Sequence, residues 1–240
     1  MSTLLQAYCR EHMELFIVRR NFNSIYADGS DLLQQLQAQT KVTLFEQDKE
    51  TGLQELFERL MAIMGERMQL RNELVQQNGL TRGDPQNTVR AFEYIHAHST
   101  PLMVIFENYY EFAKSLYDGQ AVMFAELFRA QDPNTTSKKN NGYGYNIYYT
   151  ACFGPGEYTL TAAQTPMADC FNPQKFTLMF GGQLDKCGAV PLPRDYLAIN
   201  EPDEHYNHCV MYYQGRLAGL SLPCGELVHV EPDPDEVPII

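Results

Sequence analysis

The sequence predicts an α+β fold in which a helical N-terminal module is followed by a mostly antiparallel, β-rich C-terminal module. Apolar residues recur with a period of about 3.6 up to residue 131, which is typical of helices, and with a period of two after residue 143, which is typical of strands. A polar stretch rich in turn formers separates the two patterns. We therefore divide the chain into a helical module (1–132), a polar linker or loop (133–142), a β-rich module (143–230) and an acidic, proline-rich tail (231–240).

Two helices are predicted near the N-terminus. The first covers about Thr3 to Arg20, where apolar and polar residues alternate in a helical pattern. The second begins at Ser30 or Asp31, because these residue types cap a helix by accepting a hydrogen bond from a backbone N–H of its first turn. The segment Lys41–Phe45 has strand propensity but lies between helical patterns, and the sequence leaves its structure undecided.

The longest predicted helix covers about Thr51 to Gln77 and has one apolar stripe along its length. The stripe consists of Leu53, Leu56, Phe57, Leu60, Met64, Met68 and Leu74. It must be covered either by the protein's own core or by a partner, and methionines suit adaptable interfaces. Our candidate binding residues on this stripe are Leu60, Met64 and Met68.

Further elements are predicted on both sides of the linker. Before it, helices cover Asn87–His98 and Pro101–Arg129, since proline suits the first turn of a helix, with a break expected at Asp118-Gly119. After it, strands are predicted where the period falls to two. They cover Tyr143–Tyr149, Tyr158–Ala162, Phe176–Phe180, Cys209–Tyr213, Leu217–Leu222 and Leu227–Val230, with a hairpin turn at Gln214-Gly215.

Composition and charge restrict the class of protein. The chain has 240 residues and a net charge of −12, and no apolar run approaches the roughly 18 residues that a membrane span requires. Its longest basic clusters are the pairs Arg19-Arg20 and Lys138-Lys139, so nucleic-acid binding is disfavoured, and a basic protein partner fits the charge better. A homo-oligomer stays open. The N-terminal sequence has no signal-peptide core, which predicts a cytoplasmic location, with a dedicated secretion machine as the alternative.

One chemical hypothesis is a transition-metal site within residues 201–209. The six cysteines form no C-x-x-C pair, so zinc ribbons and thioredoxin-like sites are disfavoured. Residues 201–209 nevertheless combine imidazole, thiol and carboxylate groups, which are ligands for such metals. The candidate ligands are His205, His208 and Cys209, with a further one from Asp169, Cys170 or His229. The alternative is an acidic loop that leads into a strand, and no other cofactor is expected.

The second chemical hypothesis is a cysteine nucleophile. Cys152 precedes the tight turn Gly154-Pro155-Gly156, and Cys170 follows Asp169 in a predicted loop. A nearby histidine would activate the thiol and a carboxylate would orient that histidine. The candidate bases are His205, His208 and His229, and the candidate orienting groups are Asp203 and Glu231. The alternative is that these cysteines pack as small apolar residues.

Two classes of function remain. The sequence contains no phosphate-binding loop, nucleophile elbow, zinc-protease motif or EF-hand loop. The first class is a non-catalytic interaction or regulatory protein that acts through helix faces and an acidic surface. The second is a cysteine- or histidine-based hydrolase or transferase, with or without a metal, whose site lies in the β-rich module. The absence of catalytic motifs favours the first class.

Overall fold

The computed structural model describes residues 13–20, 23–78, 85–129, 145–165, 167, 170, 176–180, 187–190, 192–193, 208–213 and 215–221. Its elements are, in chain order, β1 (Glu14–Arg19), α1 (Asp31–Gln39), β2 (Val42–Glu46), α2 (Glu50–Asn78), α3 (Pro85–His98), β3 (Leu102–Phe106), α4 (Tyr109–Ser115), α5 (Asp118–Arg129), β4 (Ile147–Ala151), α6 (Glu157–Gln164), β5 (Phe176–Phe180), β6 (His208–Tyr213) and β7 (Arg216–Ser221).

The central sheet contains four parallel strands in the order β2-β1-β3-β4. Helix α1 connects β1 to β2, helices α2 and α3 connect β2 to β3, and helices α4 and α5 lie between β3 and β4. From β1 the chain thus adds β2 on one side of the sheet, and then β3 and β4 on the other side. In such a doubly wound sheet the order reverses between β1 and β3, and the loops after these two strands diverge.

The inner strands are buried on both faces. Residues Leu15–Val18 of β1 are each at most 1% exposed. One face packs against α1 through a cluster that includes Leu36. The other packs against α2 to α5 through a larger cluster that includes Leu60 and Phe124, which we call the main core. A strand covered on both faces has a continuous apolar run instead of an alternating one.

The predicted fold class is wrong. Strands and helices alternate along the chain, so the fold is mixed α/β, with a parallel sheet among helices and a small antiparallel sheet near the C-terminus. Strand β4 follows the predicted linker, yet it pairs in parallel with β3, with Tyr148 beside Met103. The prediction failed because β1 and β3 are short and almost wholly apolar, and at that length a buried strand and a buried helix have the same pattern.

Three predicted elements are corrected. Glu14–Arg19 is strand β1, although it lies inside the segment Thr3–Arg20 that was predicted as a helix. Pro101–Arg129 contains β3, α4 and α5 instead of one helix. Tyr158–Ala162 lies in helix α6 instead of a strand. Its threonines favour strands, but Thr161 is accommodated in the helix because its hydroxyl donates to Glu157 O at 2.8 Å.

Several other elements are confirmed. Ser30 caps α1 by accepting a hydrogen bond from Leu33 N at 3.3 Å. Helix α2 contains 29 residues and includes the predicted range, and α3 includes Asn87–His98. The undecided segment Lys41–Phe45 forms most of β2.

The second sheet is antiparallel, in the order β5-β6-β7. The predicted strand Phe176–Phe180 is confirmed, as is the hairpin of β6 and β7. Gly215 in the hairpin turn has φ 83°, a left-handed conformation that glycine adopts without strain. One face of this sheet packs on its own small core, formed by Met179, Val190, Val210 and Tyr212.

Some predictions fall on residues outside the described ranges. These include residues 1–12, the linker 133–142, the strand Leu227–Val230 and the tail 231–240. The division of the chain into modules therefore stays a prediction. Of the helices in the described ranges, none combines the length and the apolar character needed to cross a membrane.

Candidate functional site

The loops that follow the parallel strands meet at one edge of the central sheet. Doubly wound sheets bind ligands at this edge, in the crevice where the strand order reverses. Here the crevice lies between the loop after β1 and the turn after β3. We call the described residues within 19–30, 46–49, 107–108 and 152–157 the carboxyl edge.

A carboxylate of the protein itself bridges this crevice. Glu107 Oε2 accepts a hydrogen bond from Arg20 N, and Glu107 Oε1 accepts one from Ile25 N, each at 2.8 Å. The Glu107 backbone N–H donates to Val18 O at 3.0 Å. Hydrogen bonds to an ionised acceptor are about twice as strong as those between neutral groups. Glu107 therefore fixes the loop after β1 to the end of β3 and occupies two backbone donors that an anionic ligand could use.

Arg19, the last residue of β1, organises the side of the carboxyl edge towards β2. Its Nη1 donates to Tyr26 O at 2.9 Å and to Asp28 Oδ1 at 2.8 Å, and its Nη2 donates to Glu46 Oε1 at 3.3 Å. Glu46 also pairs with Lys49. Hydrogen bonding to Arg19 lowers the pKa of Asp28, and Lys49, followed by Arg19, lowers the pKa of Glu46. The charged groups of this cluster thus neutralise one another.

The turns after β3 and β4 are joined by an amide and a carboxylate. Asn108 caps α4, because its Oδ1 accepts from Glu111 N at 2.9 Å, and its Nδ2 donates to Glu157 Oε1 at 3.2 Å. The second oxygen of Glu157 accepts from Gly154 N. Asn108 is only 3% exposed, so water has little access to its amide.

Two titratable groups of the carboxyl edge, Tyr26 and Cys152, have raised pKa values. Tyr26 is 1% exposed, and its hydroxyl has no hydrogen-bond partner among the described residues. Burial raises the pKa of Tyr26 above its usual range, and nearby Cys152 and Glu107 raise it further. Burial likewise raises the pKa of the Cys152 thiol to about 11. An activated nucleophile requires the opposite shift, because the thiolate is the reactive form.

The other predicted chemical residues are spread over several elements. Cys170 is half-buried against the main core, and Cys209 is buried in β6, where burial raises its pKa. His208 is described only as the first residue of β6. Asp169, Asp203, His205, His229 and Glu231 lie outside the described ranges. Within those ranges no group of three or more His, Cys, Asp or Glu residues is placed to hold a metal ion. The metal and thiol hypotheses stay predictions.

The sequence interpretation missed the polar residues of the carboxyl edge. Arg19 ends an apolar run, Glu107 and Asn108 directly follow another, and Glu157 follows the Gly154-Pro155-Gly156 turn. A polar residue directly after a buried parallel strand is a usable signal for a site. The sequence did not lead to these residues because the apolar runs before Arg19 and Glu107 are predicted to be helical.

The candidate binding stripe of α2 is divided between core and surface. Leu60 and Met64 are 0% and 8% exposed and belong to the main core, whereas Met68 is 44% exposed. Met68 lies seven residues after Met61, which is 47% exposed, and Gly65 lies between them at helical spacing. We call Met61, Gly65 and Met68 the outer line of α2.

No contact within the described part of the chain requires a glycine at position 65. A Cβ at this position would meet no atom within 4 Å. Glycine in an exposed helix interior costs about 1 kcal/mol relative to alanine. Its missing side chain leaves a gap between Met61 and Met68 in which the backbone of another molecule can approach closely.

Comparison with known proteins adds one structural likeness. No protein-family model and no curated protein matches the sequence. The fold is similar to that of a chain described as the cytoplasmic domain of EssC, with a TM-score of 0.56 and 11% sequence identity. The match covers 91% of this chain and 35% of that chain, so this chain spans about a third of its neighbour's length. At this identity the likeness shows the fold alone.

Proposed function

We propose that this protein is a non-catalytic interaction protein that binds another protein through the outer line of α2. The observation that carries the proposal is the exposed Met-Gly-Met arrangement on the longest helix. Methionine side chains are unbranched and polarisable, so they adapt to the shape of a partner. Two methionines that flank a glycine combine an adaptable apolar surface with room for a close contact.

Helix α2 is a rigid support for such a surface. Its inner face is buried, with Leu56 and Leu60 fully covered. The buried Arg67 donates from Nη2 to Thr100 O at 2.7 Å and from Nη1 to Tyr145 O, which fixes the helix to the segments before β3 and β4. A surface that is already ordered loses less conformational entropy on binding.

The carboxyl edge supports the non-catalytic part of the proposal. An enzyme with this fold is expected to hold its reacting groups at this edge. Instead, Arg19 and Glu46 are paired with neighbouring charges, Glu107 is bonded to two backbone amides, and the pKa of Cys152 is raised.

The charge of the chain favours a basic partner. The net charge is −12, and the exposed Glu58 lies one helical turn before Met61 on α2. Complementary charge accelerates association and discriminates against wrong partners. We expect the partner to present an apolar side chain for the outer line and basic residues around it, and we expect the complex to form in the cytoplasm.

The test is affinity capture from native lysate at low salt with three forms of the full chain. Wild type should recover a protein in stoichiometric amount. Met68→Glu should recover at least about tenfold less, because it would bury a carboxylate against the apolar side chain that the partner presents to the outer line. The control is Met123→Glu, since Met123 of α5 is 50% exposed but lies outside the outer line. It should behave as wild type.

Two results would contradict the proposal. One is recovery by Met68→Glu equal to that of wild type, with thermal unfolding confirming that both are folded. The other is the absence of any stoichiometric partner at low salt. Recovery should also decline as salt rises from about 0.05 to 0.5 M, because screening weakens the attraction of a basic partner.

A further inference from the structure

The antiparallel sheet has two apolar faces, and the small core covers one of them. Side chains of a strand point alternately to the two faces. Met179, Val210, Tyr212 and Leu217 pack in the small core. The opposite face is formed by Phe176, Leu178 and Phe180 of β5, Cys209, Met211 and Tyr213 of β6, and Arg216, Ala218 and Leu220 of β7. We call these nine residues the Phe176 face.

The Phe176 face is partly exposed and almost uncharged. Phe176 is 55% exposed, Tyr213 is 46% exposed and Phe180 is 39% exposed, whereas Cys209, which pairs with Phe180, is 4% exposed. Arg216 is the single Lys, Arg, Asp or Glu residue within β5, β6 and β7. The solvated face of an antiparallel sheet usually carries polar side chains. The scarcity of charged residues on the Phe176 face therefore marks a surface that is suited to contact.

Three residues at one end of the Phe176 face form one row across the strands. Phe176 is opposite Tyr213 in the β5–β6 pair, and Tyr213 is opposite Arg216 in the β6–β7 pair. Arg216 is exposed and forms no ion pair with any residue that the structure describes. The row therefore presents an aromatic ring at one end, a cation at the other, and a tyrosine between them.

We infer that the Phe176 face packs against the same face of a second copy of this chain, about a two-fold axis parallel to the strands. This axis places Arg216 of each copy over Phe176 of the other and brings the two Tyr213 rings together. A guanidinium over an aromatic ring is attracted by it, and paired aromatic rings stabilise contacts beyond their buried area. Face-to-face packing of sheets with nearly aligned strands is a common arrangement. The contact is self-complementary, as a two-fold interface requires.

The size of the face predicts a weak dimer. Three strands about 4.8 Å apart, each with three outward positions about 6.7 Å apart, give a plan area of roughly 290 Å². A stable interface buries about 800 Å² on each partner. The net charge of −12 on each copy also opposes association. Since salt screens that repulsion, the dimer should become tighter as ionic strength rises, which is the reverse of the salt dependence expected at the outer line.

The experiment is sedimentation velocity of the full chain over a concentration series that extends well above the micromolar range. For wild type we expect the weight-average mass to rise from that of a monomer towards twice that value. Tyr213→Glu should weaken the dimer at least tenfold, because it places two carboxylates together on the axis. The matched control is Tyr117→Glu, which makes the same substitution at a tyrosine that is 63% exposed and outside the sheet. It should dimerise as wild type does.

Arg216→Ala provides a second variant in case Tyr213→Glu disturbs the sheet. Arg216 is exposed at the start of an edge strand, so its truncation should leave the fold intact, which circular dichroism can verify. We expect it to weaken the dimer at least threefold. A wild-type chain that stays monomeric throughout the series overturns the inference. So does a dimer that neither variant weakens. Neither result bears on the outer line, which is a separate surface.

Discussion

Gly52 and Gly65 lie in the same helix, and replacing each with alanine should change stability in opposite directions. A Cβ at Gly52 would lie 2.6 Å from Glu46 O and 3.2 Å from Glu46 N. Both atoms belong to the backbone of β2 and cannot rotate away as a side chain could. A Cβ at Gly65 would meet nothing within 4 Å.

The magnitudes follow from two opposing effects. Alanine in place of glycine stabilises a helix interior by about 0.5–1 kcal/mol when nothing obstructs the new methyl group, and this is the gain expected for Gly65→Ala. At Gly52 the start of α2 must move away from β2, and inserting a carbon into a filled site typically costs about 1–3 kcal/mol. Leu53 and Leu56 are buried beside it, so the displacement also disturbs the core. We expect Gly52→Ala to lose about 1–2 kcal/mol overall.

Equilibrium urea unfolding, followed by far-UV circular dichroism, measures both effects. At an unchanged slope, the midpoint of Gly65→Ala should lie above that of wild type, and the midpoint of Gly52→Ala should lie below it. A Gly52→Ala variant as stable as wild type would refute the close approach of α2 to β2. A destabilised Gly65→Ala variant would refute the assignment of Gly65 to open space.

Three further predictions concern the carboxyl edge. Glu107→Gln should lower the free energy of unfolding by about 1–3 kcal/mol. It should also accelerate hydrogen exchange of the Arg20 and Ile25 amides, which donate to this side chain. Unchanged exchange of these amides would contradict the role of Glu107 in joining the two loops. The pKa of Cys152 is about 11, so little of its thiol is ionised at about pH 8. Alkylation at that pH, measured by mass spectrometry, should label Cys152 roughly a hundredfold more slowly in the folded than in the urea-unfolded chain. Fast labelling of the folded chain would instead support the thiol hypothesis. Lys49 and Arg19 lower the pKa of Glu46, so their pairing with Glu46 stabilises the fold above the unfolded pKa of about 4.3, and this stabilisation is lost as pH falls through the lowered folded pKa. Arg19→Gln should therefore make the loss of stability in acid less steep. An acid unfolding profile equal to that of wild type would count against the pairing.

The elements that the sequence predicts well are those with long patterns or local signals. Helix α2 has a stripe long enough to fix its period, Ser30 caps α1 through its own side chain, and Gly215 closes a hairpin between neighbouring strands. The parallel sheet has no such signal. Leu15 of β1 lies beside Val42, a pairing that crosses a whole helix and is set by burial on both faces.

The candidate site was predictable only where it depends on one element. Met68 could be found from the period of α2. Whether a residue of the stripe faces the core or the solvent, however, depends on how the helix packs, and Met64 lies in the main core. Glu107 could not be found, since its two donors lie 87 and 82 residues away in sequence and approach it only after the strands have paired. A side chain that joins distant loops has a role that local sequence does not encode.

The central claim is that the outer line of α2 contacts another protein, and site-specific photo-crosslinking tests it most directly. A photoreactive amino acid would replace Met61, Met68 and, as a control with similar exposure, Met123. The proposal predicts that irradiation in native lysate yields the same heavier adduct from positions 61 and 68 and none from position 123. The absence of an adduct from both positions of the outer line, or the same adduct from position 123, would contradict it.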